Sequence, residues 1–490
     1  GQSISISSNG DPVILGSYDY SVGFGEHTLA TTYEDFYLLS TISDFSKTNF
    51  LVSCDRYNIA MEKSAVDDQG NMYRAGTFSG TYSDGENRLV SQGENDIVFA
   101  KYDSYGALQW IKSAGSSGWD DLEEIVVGPT GVYFTGTYDG DELMYFDGEY
   151  INDIGEIIVE DRGFGLSEAA AVVRLSQGRD VFVAAYQTDG SKLWAIDAVT
   201  GTSDQYVKDI DVDEAGSVLI TGNFDSYGAT FNGNRYSGEW GTDDVLYVAR
   251  FSESGDFVSA LDTPDAYGTA VVANADGSFF VGGSYFPHTY NFFNADLELP
   301  FVGGRNDLFV AQFSKENVLD NFLFFGAADK ELGVEDTDSN EEIADLIANE
   351  AGDLFLTGYY QETMNWEGKE YTTTGLYGGS DLFVAKINFS EGSNWFNNGG
   401  GEGTDIGTSI TIGADGNLFA TGSSYFSATF GGIQIDGIDS YDYLIPVVGA
   451  KAEDGSFFYA KAFGYATDNC GECSSYEEGE SINADQNGNL

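Results

Sequence analysis

The chain has 490 residues, of which 42% are hydrophobic and 15% aromatic, with 63 Gly and only 6 Pro. That composition excludes a disordered chain and favours many short strands joined by tight turns. Its 21 basic and 80 acidic residues leave a formal charge of −59, so the surface repels phosphate backbones and excludes nucleic acid and direct insertion into anionic membrane.

No apolar run approaches the ~18 residues that a membrane-spanning helix needs. The chain begins at Gly1 without a Met and stops at Leu490 inside a repeat, and is read as a processed or partial piece of something longer.

Taken in order, the chain is a series of repeats. Each unit opens on a short strand ending in a turn, at Ser8-Asn-Gly10, Asp68-Gln-Gly70, Pro129-Thr-Gly131, Glu214-Ala-Gly216, Ala275-Asp-Gly277, Glu350-Ala-Gly352, Ala414-Asp-Gly416 and Gln486-Asn-Gly488. Gly at the last turn position suits a hairpin whose backbone takes a positive φ. Successive glycines stand 60, 61, 85, 61, 75, 64 and 72 residues apart, a period that fits a four-stranded blade with decorated loops.

A second strand ending in Gly follows, as in Val218-Leu-Ile-Thr-Gly222 and Leu354-Phe-Leu-Thr-Gly358. Next comes a variable loop, often carrying an aromatic, as in Ala229-Thr-Phe231 and Ala428-Thr-Phe430. The third strand is almost continuously apolar, as in Asp96-Ile-Val-Phe-Ala-Lys-Tyr-Asp103 and Asp381-Leu-Phe-Val-Ala-Lys-Ile-Asn388. Such a strand is covered on both faces, which stacked blades require. A fourth strand follows a Gly turn, with Trp110, Trp194 or Trp395 in its clearest forms.

These units predict an all-β chain folded as a seven-bladed β-propeller of four-stranded antiparallel blades, because single blades cannot bury both faces and a ring removes the open ends. The units run about 1–55, 56–118, 119–203, 204–264, 265–338, 339–403 and 404–473. Residues 474–490 start an eighth repeat, supply a closure strand or lead into a following domain. Unit three is longest, through an insertion from Gly148 to Gly178 read as an extra hairpin or ordered loop.

The pattern Asp-x-x-Gly-Asn-x-Tyr-x-x-Gly, then Asp-x-Phe-Val-Ala-Lys-x-Asp, then Gly-x-x-x-Trp resembles the SBBP-type β-propeller repeat. Val66-Asp-Asp-Gln-Gly-Asn-Met-Tyr-Arg-Ala-Gly76 carries it most closely, and Tyr443-Leu-Ile-Pro-Val-Val448 departs from it. The resemblance implies a propeller of a large secreted or surface-exposed bacterial protein, and implies no shared catalytic residues.

Catalytic signatures are absent. His27 and His288, the only histidines, fall in units one and five and read as surface residues. Neither a Gly-x-Ser-x-Gly elbow nor a phosphate-binding Gly-x-x-x-x-Gly-Lys-Ser/Thr loop occurs. Gly190-Ser-Lys-Leu-Trp194 superficially resembles a quinoprotein tryptophan-docking element, but reads as a turn followed by a packed aromatic, since three units lack the Trp. Glu335-Asp-Thr-Asp-Ser-Asn-Glu-Glu342 holds five acids in eight residues, and makes Asp336, Asp338 and Glu341 candidate calcium ligands. Cys54, Cys470 and Cys473 allow a disulfide near the closure, with the pairing open.

The function expected from these readings is a non-catalytic module of a large extracellular or cell-surface assembly, such as an adhesin, filament or appendage. It would bind protein subunits of that assembly or surface glycan through rim loops, with Tyr285, Tyr290, Tyr359, Tyr360 and Trp366 as contact aromatics. The alternatives are a carbohydrate-active enzyme using channel carboxylates and a calcium-stabilised scaffold.

Overall fold

A computed structural model describes residues 59–67, 69–83, 87–103, 107–139, 144–147, 149–151, 178–225, 227–231, 233–236, 244–286, 292–294, 306–327, 341–374, 379–413, 416–425, 427–436 and 443–463. It also gives the strand backbones within 3–6, 12–24, 27–41, 48–55 and 481–482. Apart from one short 3-10 turn at Phe292–Asn294, the regular structure among these residues is all strand. It forms seven sheets of four to six strands and a separate two-stranded hairpin.

Within each unit the chain runs as an antiparallel meander. Gln205–Val212, Val218–Asp225, Asp244–Phe251 and Phe257–Pro264 pair in that order, and the pattern recurs in the other sheets. The first hairpin turns as the sequence predicts. Gly216 takes φ +81°, and the Asp213 carboxylate accepts from the amides of Ala215 (2.9 Å) and Ser217 (2.8 Å). Position 131 differs: Gly131 lies inside the strand Gly131–Asp139, where an added Cβ would overlap the carbonyl oxygen of Tyr186.

The third strands are buried along nearly their whole length, as the lack of alternation requires. Leu382, Phe383, Val384, Ala385 and Ile387 are all enclosed, and each large side chain so buried contributes about 1.5–3 kcal/mol. Inner strands pack side by side in the order Ile59–Val66, Asp120–Gly128, Gln205–Val212, Ala266–Ala273, Glu342–Ala348 and Asp405–Ile412. Ser481–Ile482 packs beside the last of these and pairs in parallel with Ser3–Ile6, which packs beside the first.

Four-stranded blades understate the sheets, four of which have six strands. The extra pairs are the variable loops of the sequence. Ala229–Phe231 with Asn234–Tyr236, and Ala428–Phe430 with Ile433–Ile435, are hairpins, and each pairs with the outer strand of the preceding sheet. Two more do the same through Tyr145–Phe146 and Thr363–Trp366. An outer strand otherwise presents unpaired amides and carbonyls, and these hairpins cover its last two residues.

The fourth-strand tryptophans also cross between sheets. The indole N–H of Trp110 donates to the Thr188 carbonyl (3.2 Å), that of Trp194 to Glu253 (2.8 Å) and that of Trp395 to Ala452 (3.1 Å). Each ring lies against a glycine of the turn it bonds, Gly190, Gly255 or Gly455.

Candidate functional site

A cavity of about 520 Å³ lies between the inner strands of six sheets. Its polar lining includes Lys63, Glu124, Lys208, Asp209, Asp345 and Ser409, and the local backbone explains how they reach it. Each inner strand carries a β-bulge at the same place, between Leu122 and Glu124, Val207 and Asp209, Ile343 and Asp345, and Gly407 and Ser409, with a related irregularity between Ala60 and Lys63. A bulge bends its strand and redirects the next side chain. The recurrent glycine ending the second strand makes the bulge possible, since a Cβ at Gly136, Gly222, Gly358 or Gly422 would overlap a carbonyl oxygen of the bulged strand.

The carboxyls that follow the bulges reach the neighbouring inner strand. Asp209 Oδ2 accepts from the Val271 amide (2.7 Å), and Asp211 Oδ2 from the Ala273 amide (2.8 Å). Asp345 Oδ2 accepts from the Ser409 hydroxyl (2.7 Å) and the Ile410 amide (2.8 Å). These amides belong to the cavity-facing edge of the inner strands, so the acids supply acceptors there. Glu124 is held differently, with Oε2 3.3 Å from Lys63 Nζ and Oε1 accepting from the Ile125 amide (2.9 Å).

Burial raises the carboxyls at this centre. Asp345 is pushed up to about 7, chiefly by desolvation and further by the charge of Glu124, against the opposing bonds from Ile410 and Ser409. Asp211 is raised to about 6, and Asp209 well above the usual carboxylate range, both by desolvation first. Asp209 and Asp345 keep part of their surface open to the cavity although protein surrounds them. Glu123 is raised by burial, with Lys208 and Lys63 pulling it back.

None of these residues stands out in the sequence, where 80 acids mask any few. The available signal was positional: Glu124, Asp209 and Asp345 each lie in the unit's opening strand, shortly before the turn glycine.

The residues singled out from sequence fall elsewhere. Tyr285 (1% exposed), Tyr360 (0%) and Trp366 (3%) are core residues and not contact tips, because their rings pack within and between the sheets, Trp366 on Phe325 and Phe396. Tyr359 is half-buried and donates its hydroxyl to Glu342 Oε2 (3.1 Å). Cys54 lies in the strand Thr48–Asp55. Tyr290, His288, Asp336, Asp338, Cys470, Cys473 and most of the Gly148–Gly178 insertion lie outside the described residues.

The calcium expectation is corrected. Glu341 is 5% exposed, enclosed near Tyr285 and Asp307 and not on an open loop, and among the described residues no group of three or more His, Cys, Asp and Glu is placed to hold a metal ion.

No family model matches the chain, so the SBBP-type resemblance rests on its motif residues alone. No curated protein matches it either. Similar solved structures include Kuenenia stuttgartiensis hydrazine synthase (11% identity, 81% of this chain and 95% of that one, TM-score 0.37) and a Synechocystis apocarotenoid oxygenase (7%, 92% and 86%, 0.38). The Dos1 propeller is a third (8%, 83% and 85%, 0.37). The first two are enzymes and neither is an adhesin, so the comparisons give the expected non-catalytic adhesin-like module no support. At these identities and scores the likeness transfers no activity or cofactor.

Proposed function

We propose that the chain is an enzyme of general acid–base type whose centre is the cavity between the inner strands, and that its seven sheets are the blades of one closed propeller spanning the seven units. The segment containing Ser481–Ile482 closes the ring beside Ser3–Ile6. In this reading Asp345 donates a proton to the leaving atom of a polar substrate, and Glu124, oriented by Lys63, receives one from the attacking water. A volume of about 520 Å³ suits a small molecule or one end of a larger one.

The observation that carries the reading is a pair of unlike carboxyls on one cavity. Asp345 retains its proton up to about 7, whereas Glu124 lies in an ion pair with Lys63. A general acid works best when it titrates near the operating pH. A panel of hydrolysable substrates offered to the wild type, Asp345→Asn and Glu124→Gln tests it. Turnover is expected to fall by about 10²-fold or more in each variant, and in the wild type to decline as pH rises through about 7, where Asp345 loses its proton. Undiminished turnover in both folded variants, or no turnover across the panel, overturns it.

A further inference from the structure

At the opposite ends of the inner strands, acids recur in pairs that span two sheets. The first acid is the first or second residue of a third strand, and the second opens the inner strand of the next sheet. Asp96 stands with Asp120, and Asp381 with Asp405, all four buried. Asp96 accepts from the amides of Gln92 (2.8 Å) and Gly93 (3.1 Å), and Asp120 from the Ser116 amide (2.6 Å) and hydroxyl (2.7 Å). Asp381 accepts from the Thr374 amide (3.1 Å) and hydroxyl (3.0 Å) and from Asn398 Nδ2 (2.7 Å). Asp405 accepts from the Gly401 amide (2.7 Å) and the Ser424 hydroxyl.

A bare Cα lets the partners meet. An added Cβ at Gly400 would stand 2.5 Å from Asp381 Oδ1 and 2.9 Å from Asp405 Oδ2, so the two carboxyls share one small space above it. Gly115 leaves room for the Asp96 carboxyl, and the Asp120 amide donates to the carbonyl of Asn95 beside it (3.0 Å). At two other junctions the second acid is replaced by a neutral group. Gln205 opens the strand that follows Asp180, and Asp244 Oδ2 accepts from the Tyr267 hydroxyl (2.5 Å). Glu341 takes the corresponding place after Asp307.

We propose that Asp96 with Asp120, and Asp381 with Asp405, are proton-sharing clasps between neighbouring sheets, closed in mild acid and strained open in alkali. Two buried carboxylates so close cannot both ionise cheaply, and one proton held between them turns repulsion into a hydrogen bond. Among the described residues, the charge that raises Asp405 is that of Asp381, and those that raise Asp120 are Asp96 and Asp121, the latter held by Arg179 at 2.6 Å. No ion pair reaches the four clasp carboxyls among the described residues. Burial first, then the partner acid, raises Asp120 and Asp405 to about 7.

The sign follows from linkage. An unfolded Asp releases its proton near ~3.9, so between there and about 7 the folded chain holds protons that the unfolded chain does not. Stability from the clasps is therefore full below ~3.9 and is lost as pH rises through about 7. The overall negative charge acts in the same direction, so the experiment is run at ~1 M NaCl, where screening shortens to ~3 Å.

Urea unfolding midpoints are measured from about pH 5.5 to about pH 8.5 for the wild type, Asp120→Asn, Asp405→Asn and the double variant. The wild-type midpoint is expected to fall as pH rises. Each Asn, which keeps an acceptor and can donate to the partner carboxylate, is expected to hold its midpoint in alkali and lose part of the slope, leaving the double variant the smaller slope of the cavity acids Asp209, Asp211 and Asp345. A double variant as pH-dependent as the wild type overturns the proposal. Carboxyl-carbon NMR of the wild type and the double variant gives a second reading: signals titrating near 7 that the double variant loses support the clasps, and an unchanged set of signals refutes them.

Discussion

An alanine at position 358 would drive its Cβ into the carbonyl oxygen of Glu342, on the bulged strand one place over. The backbone there cannot retreat easily, because Ile343 and Asp345 flank the bulge and Asp345 is tied to Ser409 and Ile410 of the next sheet. Gly358→Ala is therefore expected to cost about 1–3 kcal/mol in urea unfolding, as overpacked sites do, while an unchanged midpoint would show that the bulge is free to move. The glycine was visible in the sequence as the end of each second strand, but its reason was not, since the atom it avoids belongs to another strand. The tryptophans teach the same lesson. Gly190-Ser-Lys-Leu-Trp194 reads as a turn before a packed aromatic, which it is, yet the bond from Trp194 to Glu253 joins residues 59 positions apart.

Among whole elements, the hairpins that cover the outer strands were the part least legible. Strands of three residues, such as Ala428–Phe430, are too short to show alternation, and their partner lies in the preceding unit and not in their own. The aromatic in each loop was the only trace. Phe430 is fully buried, packs on Phe457 (5.7 Å) and closes over Gly399 of the outer strand. Replacing it with Ala should cost about 3–5 kcal/mol, the range for a large core aromatic. Phe458, 41% exposed on the outer strand of its sheet, serves as the control, and its Ala variant should stay within about 0.5 kcal/mol of the wild type. Equal losses at the two positions would mean that the hairpin adds nothing to the sheet it covers. Third strands, by contrast, were legible almost to the residue, because five to seven consecutive buried positions leave a nearly continuous apolar run that no exposed strand carries.

For the molecule as a whole, the repeat period sufficed to expect sheets stacked about a centre, whereas the cavity lining was hidden by abundance. Four acids among 80 cannot be picked out until the inner strands bring them onto one cavity. The remaining acids act collectively. A formal charge of −59 confined to the folded volume repels itself more than the same charge spread along an unfolded chain. Raising ionic strength from ~0.01 to ~0.15 M shortens the screening length from ~30 to ~8 Å, so the thermal midpoint is expected to rise with NaCl and to level off once the separation between surface acids exceeds that length. Buried clasps and the cavity acids are screened far less, so the pH dependence that survives at ~1 M NaCl belongs to them. A midpoint indifferent to salt across this range would mean that the surface charge is already neutralised by tightly held counterions, and the acidic coat would then have to be treated as a set of occupied sites instead of a diffuse field.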